Sequence, residues 1–147
     1  MSGGDGRRQP RVLVADDYAP VRLDIREDLE RDAITVCAEA ATGAEALEGA
    51  LREQPDLCLL DVHMEEGNGL TATAAIHDEL PQAKLLLITA LPDEEGVLAA
   101  ARAGADGLLD KAIDFRRLPT VVRAVISGET AFPRRLLGRL LEEVRRA

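Results

Sequence analysis

Short, almost wholly apolar runs recur along this chain, and each stops at a polar or charged residue. RVLVADD (11–17) runs into Asp16 and Asp17, DLCLLD (56–61) into Asp61, KLLLIT (84–89) into Thr89, and GLLDK (107–111) into Lys111. ITVCAEA (34–40) reads as a fifth run of the same kind. Runs this short and this continuously apolar fit strands buried on both faces, as in a parallel sheet covered by helices.

Helical patterns fill the intervals. Val21, Ile25 and Leu29 lie four apart, with Pro20 where a first helical turn tolerates it. Thr42 and Glu45 form a capping box ahead of Leu47, Ala50 and Leu51. A helix over 70–80 is ended by Pro81, and one through Val97, Leu98 and Ala101 is stopped by Gly104. A last one carries Leu118, Val122, Val125 and Ile126, its regular part starting near Leu118 because of Pro119. Five strands alternating with five helices predict an α/β doubly wound domain with a five-stranded parallel sheet.

Composition narrows the function. A chain of 147 residues, 46% hydrophobic, is one domain with room for an ordinary core and a short appendage. One Tyr, two Phe and no Trp argue against stacking platforms for single-stranded nucleic acid, and a net charge of −9 argues against a phosphate backbone as direct partner. No apolar run is long enough to span a bilayer, and MSGGDGRRQP (1–10) lacks the apolar stretch of a signal peptide and reads as a frayed tail. Cys37 and Cys58 sit in strand-like stretches and read as buried, reduced thiols. These features together point to a cytoplasmic protein.

In doubly wound sheets ligands bind beyond the carboxyl ends of the strands. Those ends carry Asp16–Asp17, Asp61, Thr89–Ala90 and Lys111. Taken singly, Asp17 could be a helix cap, Thr89 a strand former and Lys111 a solvated charge. Capping does not explain why acids, hydroxyl and cation meet on one edge. Three packed carboxylates repel one another unless a cation sits among them, and oxygen ligands without a His or Cys cluster favour Mg2+. One carboxylate could then attack phosphorus while metal, ammonium and hydroxyl balance the transferred charge, giving an aspartyl phosphate.

These motifs resemble the receiver domain of two-component response regulators. VLVADD matches the family's acidic pair, LLDVHM with Gly69 eight residues after Asp61 the phosphoacceptor strand and loop, LLLITA the hydroxyl strand, and GADGLLDK the lysine strand. The resemblance covers about residues 11–128, leaving 129–147 as a linker with an amphipathic helix. It implies a flavodoxin-like sheet of order 2-1-3-4-5 with an extra C-terminal helix. It further implies Asp61 as the phosphorylated nucleophile, Asp16, Asp17, Asp61 and the backbone carbonyl of His63 as Mg2+ ligands, and Thr89 and Lys111 as partners of the phosphoryl group. Ala90, beside Thr89 at the same rim, is implied as a cofactor-binding position, and the His63 side chain, with Leu91, flanks the access route. A sensor histidine kinase is the implied donor. The domain itself would catalyse transfer and slow hydrolysis.

Three positions depart from the common pattern: Glu65 stands where proline is usual, Leu108 where an aromatic switch residue is common, and Ala112 where proline is frequent. Glu65 would leave the loop more mobile and add acid near the metal. Leu108 removes aromatic rotation as a readout, and Ala112 puts a cis peptide in doubt. Leu136, Leu137, Leu140, Leu141 and Val144 form an apolar stripe opposite arginines, either packed on its own domain or offered to a partner. Glu142 and Glu143 interrupt those arginines, which disfavours a nucleic-acid reading. AVISGETAFPRRLLGRLL resembles the receiver-to-linker junction of the NarL/FixJ (LuxR-type) subfamily, where a DNA-binding domain normally follows. Either the chain is the receiver of such a transcription regulator, the favoured reading, or a stand-alone receiver acting through protein partners. The implied homodimer faces are the first and fifth helices, or the fourth helix, fifth strand and fifth helix. A Mg2+-dependent phosphatase of the haloacid dehalogenase type would need D-x-D after the first strand, and Asp16–Asp17–Tyr18 puts the second acid in the wrong place.

Overall fold

The computed structural model describes residues 8–64 and 68–146. Five parallel strands lie in the order β2-β1-β3-β4-β5. They are β1 (Arg11–Ala15), β2 (Thr35–Ala40), β3 (Leu57–Asp61), β4 (Lys84–Thr89) and β5 (Gly107–Asp110). The helices between and after them are α1 (Ala19–Arg31), α2 (Gly43–Glu53), α3 (Gly69–Glu79), α4 (Glu94–Arg102), α5 (Leu118–Ile126) and α6 (Leu137–Arg146). The expected α/β architecture, strand order and extra C-terminal helix are all present.

Alternation along each strand divides the apolar residues between two cores. Leu13, Cys58, Leu60, Leu85 and Leu87 pack with Ala46, Ile76 and Val97 from α2, α3 and α4. Val12, Val14, Leu59, Leu86 and Ile88 pack with Ile25, Leu29, Val122 and Val125 from α1 and α5. Every residue of β3 is buried, which explains why its sequence shows no polar alternation. Burying leucines on both faces at roughly 2 kcal/mol each makes β3 and β4 the rigid centre from which the site projects.

Local chemistry sets the helix ends. Thr42 Oγ1 accepts from Glu45 N at 3.1 Å, while Glu45 Oε1 accepts from Ala41 N at 2.8 Å. Asn68 and Asp93 cap α3 and α4 through Thr71 N and Gly96 N at 2.8 and 2.7 Å. Gly104, at φ 97, ends α4 in a conformation closed to most residues. The Lys111–Ala112 peptide bond is trans.

Of the stretch 1–10 read as a frayed tail, residues 1–7 lie outside the described residues, as does Glu65 within 65–67; residues 8–10 are described and depart from that reading. From Arg8 the chain is held: its guanidinium pairs with Asp56 at 2.9 Å, and Gln9 accepts from Thr35 Oγ1 at 2.8 Å.

The cysteines differ from expectation in one respect. Cys58 is fully buried, but Cys37 is only partly so, because it occupies a bulge in edge strand β2. Val12 pairs with Val36 and Leu13 with Ala38, so the extra residue moves Ala38 to the opposite core from Val36. Burial pushes the Cys58 thiol up to about 12 from an ordinary 9.0. A group whose pKa rises on folding holds its contribution below the unfolded value and loses it as pH climbs towards the folded one. Urea unfolding is therefore expected to show stability falling between pH about 9 and about 12, with a shallower fall in Cys58→Ala. Parallel pH profiles in the two proteins would refute this.

Candidate functional site

The site is assembled where four strand ends meet. Asp16 follows β1, and its backbone is held on both sides: its N–H donates to Ala40 O at 3.0 Å, and its carbonyl accepts from Arg22 Nη1 at 2.6 Å. Arg22 also donates to Glu39 Oε1 at 3.1 Å, and Glu39 is paired with Arg26. In its side chain, Asp16 Oδ1 accepts from Tyr18 N at 2.9 Å. Asp61 closes β3; its Oδ1 accepts from His63 N at 3.0 Å and its Oδ2 from Lys111 Nζ at 2.7 Å.

Lys111 ties the two acids together. Its Nζ lies 3.0 Å from Asp16 Oδ2 as well as 2.7 Å from Asp61 Oδ2. Its backbone N–H donates to Thr89 O at 2.7 Å, which fixes the β4 and β5 ends relative to one another. Asp17 is exposed, yet one carboxylate oxygen each from Asp16, Asp17 and Asp61 can be chosen so that all three lie within 4.8 Å.

The electrostatics are those of a crowded anionic pocket. Asp16 and Asp61 are only 1% and 3% exposed. Burial raises the Asp16 carboxyl above the usual aspartate range and the Asp61 charge adds to this; the Tyr18 N–H and Lys111 oppose it. Burial alone would lower the Lys111 ammonium, but the hydrogen bond to Asp61 and the Asp16 carboxylate beside it outweigh that and leave the group raised. Asp16 Oδ2 has the Lys111 charge nearby but no hydrogen-bond donor in line, although the atom is buried. A buried carboxylate oxygen in that condition fits a hard cation well. The all-oxygen donor set fits Mg2+ in the same way.

Thr89 is buried at the end of β4, where its Oγ1 accepts from Leu91 N at a long 3.4 Å. It lines a cavity of about 380 Å3 together with His63, Leu91, Glu95, Gly96 and Leu108. Ala90 is exposed, and Leu91 is 81% exposed. The structure thus gathers Asp16, Asp17, Asp61 and Lys111 into one cluster and sets Thr89 and His63 in an adjoining cavity.

Comparison with known proteins decides the family. The sequence model described as the response regulator receiver domain matches residues 12–123. The chain belongs to that family. It is 36% identical over 140 residues to the oxygen regulatory protein NreC of Staphylococcus epidermidis, covering 90% of this chain and 62% of that protein. The chain therefore spans less than two thirds of the length of such relatives. Among solved structures, the signal receiver domain of the putative response regulator NarL from Mycobacterium tuberculosis has a TM-score of 0.79 at 32% identity, covering 83% of this chain and 99% of that one. A LuxR-family two-component response regulator from Aurantimonas has a TM-score of 0.82 at 28% identity, covering 93% and 99%. This is a receiver domain of NarL/LuxR type.

One residue of the receiver pocket was not legible in the sequence. Arg22 sits on α1 at a position that reads as solvated helix surface. The signal lay in another strand: Glu39, an acid inside β2, is the counter-charge that turns Arg22 towards Asp16 O.

Proposed function

We propose that this receiver accepts a phosphoryl group on Asp61 from the phosphohistidine of a sensor histidine kinase, in a Mg2+-dependent reaction, and thereby switches an output. The observation that carries the reading is Lys111 Nζ at 2.7 Å from Asp61 Oδ2 and 3.0 Å from Asp16 Oδ2, the latter a buried oxygen with an ion-pair partner but no aligned hydrogen bond. Asp16, Asp17, Asp61 and the His63 carbonyl would hold Mg2+. When bound, the ion would supply charge neutralisation at the phosphoryl oxygens.

The protein's own groups do the rest. The Asp61 carboxylate attacks phosphorus as the bond from phosphorus to the donor imidazole nitrogen breaks, and the electron pair leaves with the imidazole. Lys111 Nζ pairs with a phosphoryl oxygen, and Thr89 Oγ1 donates to another. Hydrolysis reverses the modification: water attacks phosphorus and the carboxylate of Asp61 leaves. The output is transcription regulation through a DNA-binding domain beyond α6, a reading supported by the LuxR-type likeness and the greater length of the relatives.

The test is direct. Incubation with Mg2+ and a small acyl phosphate should add one phosphoryl group by intact-mass spectrometry, released by hydroxylamine as expected of an acyl phosphate. Chelation of Mg2+ or Asp61→Asn should abolish it. Equal labelling of Asp61→Asn would place the nucleophile elsewhere.

A further inference from the structure

Residues beyond α5 build a rudimentary sixth βα unit. Ala131 forms a parallel bridge to Gly107 on the otherwise unpaired edge of β5. Its N–H donates to Asp106 O at 2.9 Å, and its carbonyl accepts from Leu108 N at 3.0 Å. Gly107 is required by the closeness of this contact: a Cβ there would meet Ala131 O at 2.7 Å and Leu86 at 2.8 Å. Phe132, Leu136 and Leu140 then enter the core shared with α4, and α6 lies against that helix.

Two ion pairs clamp α6 along α4. Arg139 Nη1 lies 3.0 Å from Glu95 Oε1 in the first turn of α4, and Arg102 Nη2 lies 3.1 Å from Glu143 Oε1 beside the last turn. Glu95 also lines the cavity next to Thr89. A path therefore runs from Asp61 through Lys111 to Thr89, on to the Leu91 amide bonded to Thr89 Oγ1, and across the cavity that Leu91 and Glu95 both line to Arg139 on α6.

We infer that this sixth unit is the built-in occupant of the α4–β5 face, and that phosphorylation of Asp61 and docking of α6 on α4 oppose one another. The inference rests on the receiver reading of the site. When Thr89 Oγ1 turns to donate to the phosphoryl group, its long bond from Leu91 N is the weakest link and gives first. The exposed Leu91 segment and the α4 first turn can then move into the adjoining cavity of about 380 Å3. That movement carries Glu95 away from Arg139. While α6 stays docked, a second copy of the chain is excluded from the α4–β5 face; once it leaves, that face opens.

Opposition of two events is reciprocal, which gives the inference two readouts. In the full chain, amide exchange over Ala131–Arg146 should quicken on phosphorylation by about threefold or more. Conversely, loosening the clamp should favour the phosphorylated form at fixed donor. Arg139→Glu, which places two acids together, should raise the modified fraction roughly twofold, the size expected of an exposed pair. Leu140→Glu should raise it further, and Arg139→Lys should leave it near the wild-type value. A labelled protein whose α6 exchange is unchanged, or variants labelled to the wild-type extent, would sink the coupling alone. A protein that takes no phosphoryl group would sink the receiver reading and this inference together.

Discussion

Lys111→Ala should slow phosphorylation by about a hundredfold or more while making Mg2+ bind more tightly. The first effect follows from the proposed function, in which the ammonium balances charge on the phosphoryl oxygens, and removing one such positioned donor costs about that factor in rate. The second effect follows from where the ammonium sits. Its Nζ occupies the space beside Asp16 Oδ2 and Asp61 Oδ2, the oxygens a divalent ion would use. Without it, ion and ammonium no longer compete, and the affinity for Mg2+ should rise on the order of tenfold, given roughly 1–2 kcal/mol of screened repulsion removed.

Stability without metal should move in the opposite direction. Asp16 and Asp61 are nearly inaccessible, and Lys111 is their shared counter-charge. Stripping the partner from a buried pair costs about 3–5 kcal/mol. Lys111 is 26% exposed in its side chain, so water already screens part of that, and about 2 kcal/mol is the expected loss. Saturating Mg2+ should recover most of it. Thermal unfolding with and without Mg2+, beside single-turnover labelling, measures all three quantities. A variant with the wild-type rate and unchanged Mg2+ affinity would show that Lys111 is structural.

The pocket could be read in the sequence for a topological reason. In a parallel sheet every strand runs the same way, so the residue that ends each apolar run must arrive at the same rim. Asp16, Asp61, Thr89 and Lys111 were identifiable without coordinates because strand ends are among the best marked features of a buried sheet. Arg22 escaped because its role depends on Glu39 across a strand pair, and no local pattern encodes that. The bulge at Cys37 escaped because ITVCAEA is equally compatible with an unbroken register.

The C-terminal segment divides differently from its sequence pattern. The stripe Leu136, Leu137, Leu140, Leu141 and Val144 reads as one continuous helical face. Leu136 instead belongs to a short 3-10 turn, and α6 starts at Leu137. Leu136 is buried and Leu140 packs on the core, whereas Leu141 and Val144 are exposed. A single neighbouring helix, α4, is too narrow to cover the whole stripe. The bridge at Ala131 left no sequence signal, since one residue pairing on an edge needs neither alternation nor β-branched composition.

Gly69→Ala should be the most damaging conservative change near the site, and the reason is space. A Cβ on Gly69 would stand 2.3 Å from Asp61 O, 3.0 Å from Asp61 C and 3.1 Å from Val62 Cα. All three atoms are backbone, so no rotamer can yield. The Gly69 N–H donates to Val62 O at 2.9 Å, which locks the start of α3 against the strand end that carries Asp61, the proposed phosphoacceptor. An added methyl must therefore push α3 and β3 apart, costing about 3 kcal/mol, and moving Asp61 by as much as 1 Å would slow its reaction about a hundredfold. Gly128→Ala provides the contrast. Gly128 lies at φ 110 with nothing within 4 Å of its would-be Cβ, so the cost is backbone strain of about 1 kcal/mol or slightly more, and labelling should be unchanged. If both variants lost the same stability and both labelled normally, close approach of α3 to Asp61 would not be what glycine provides at position 69.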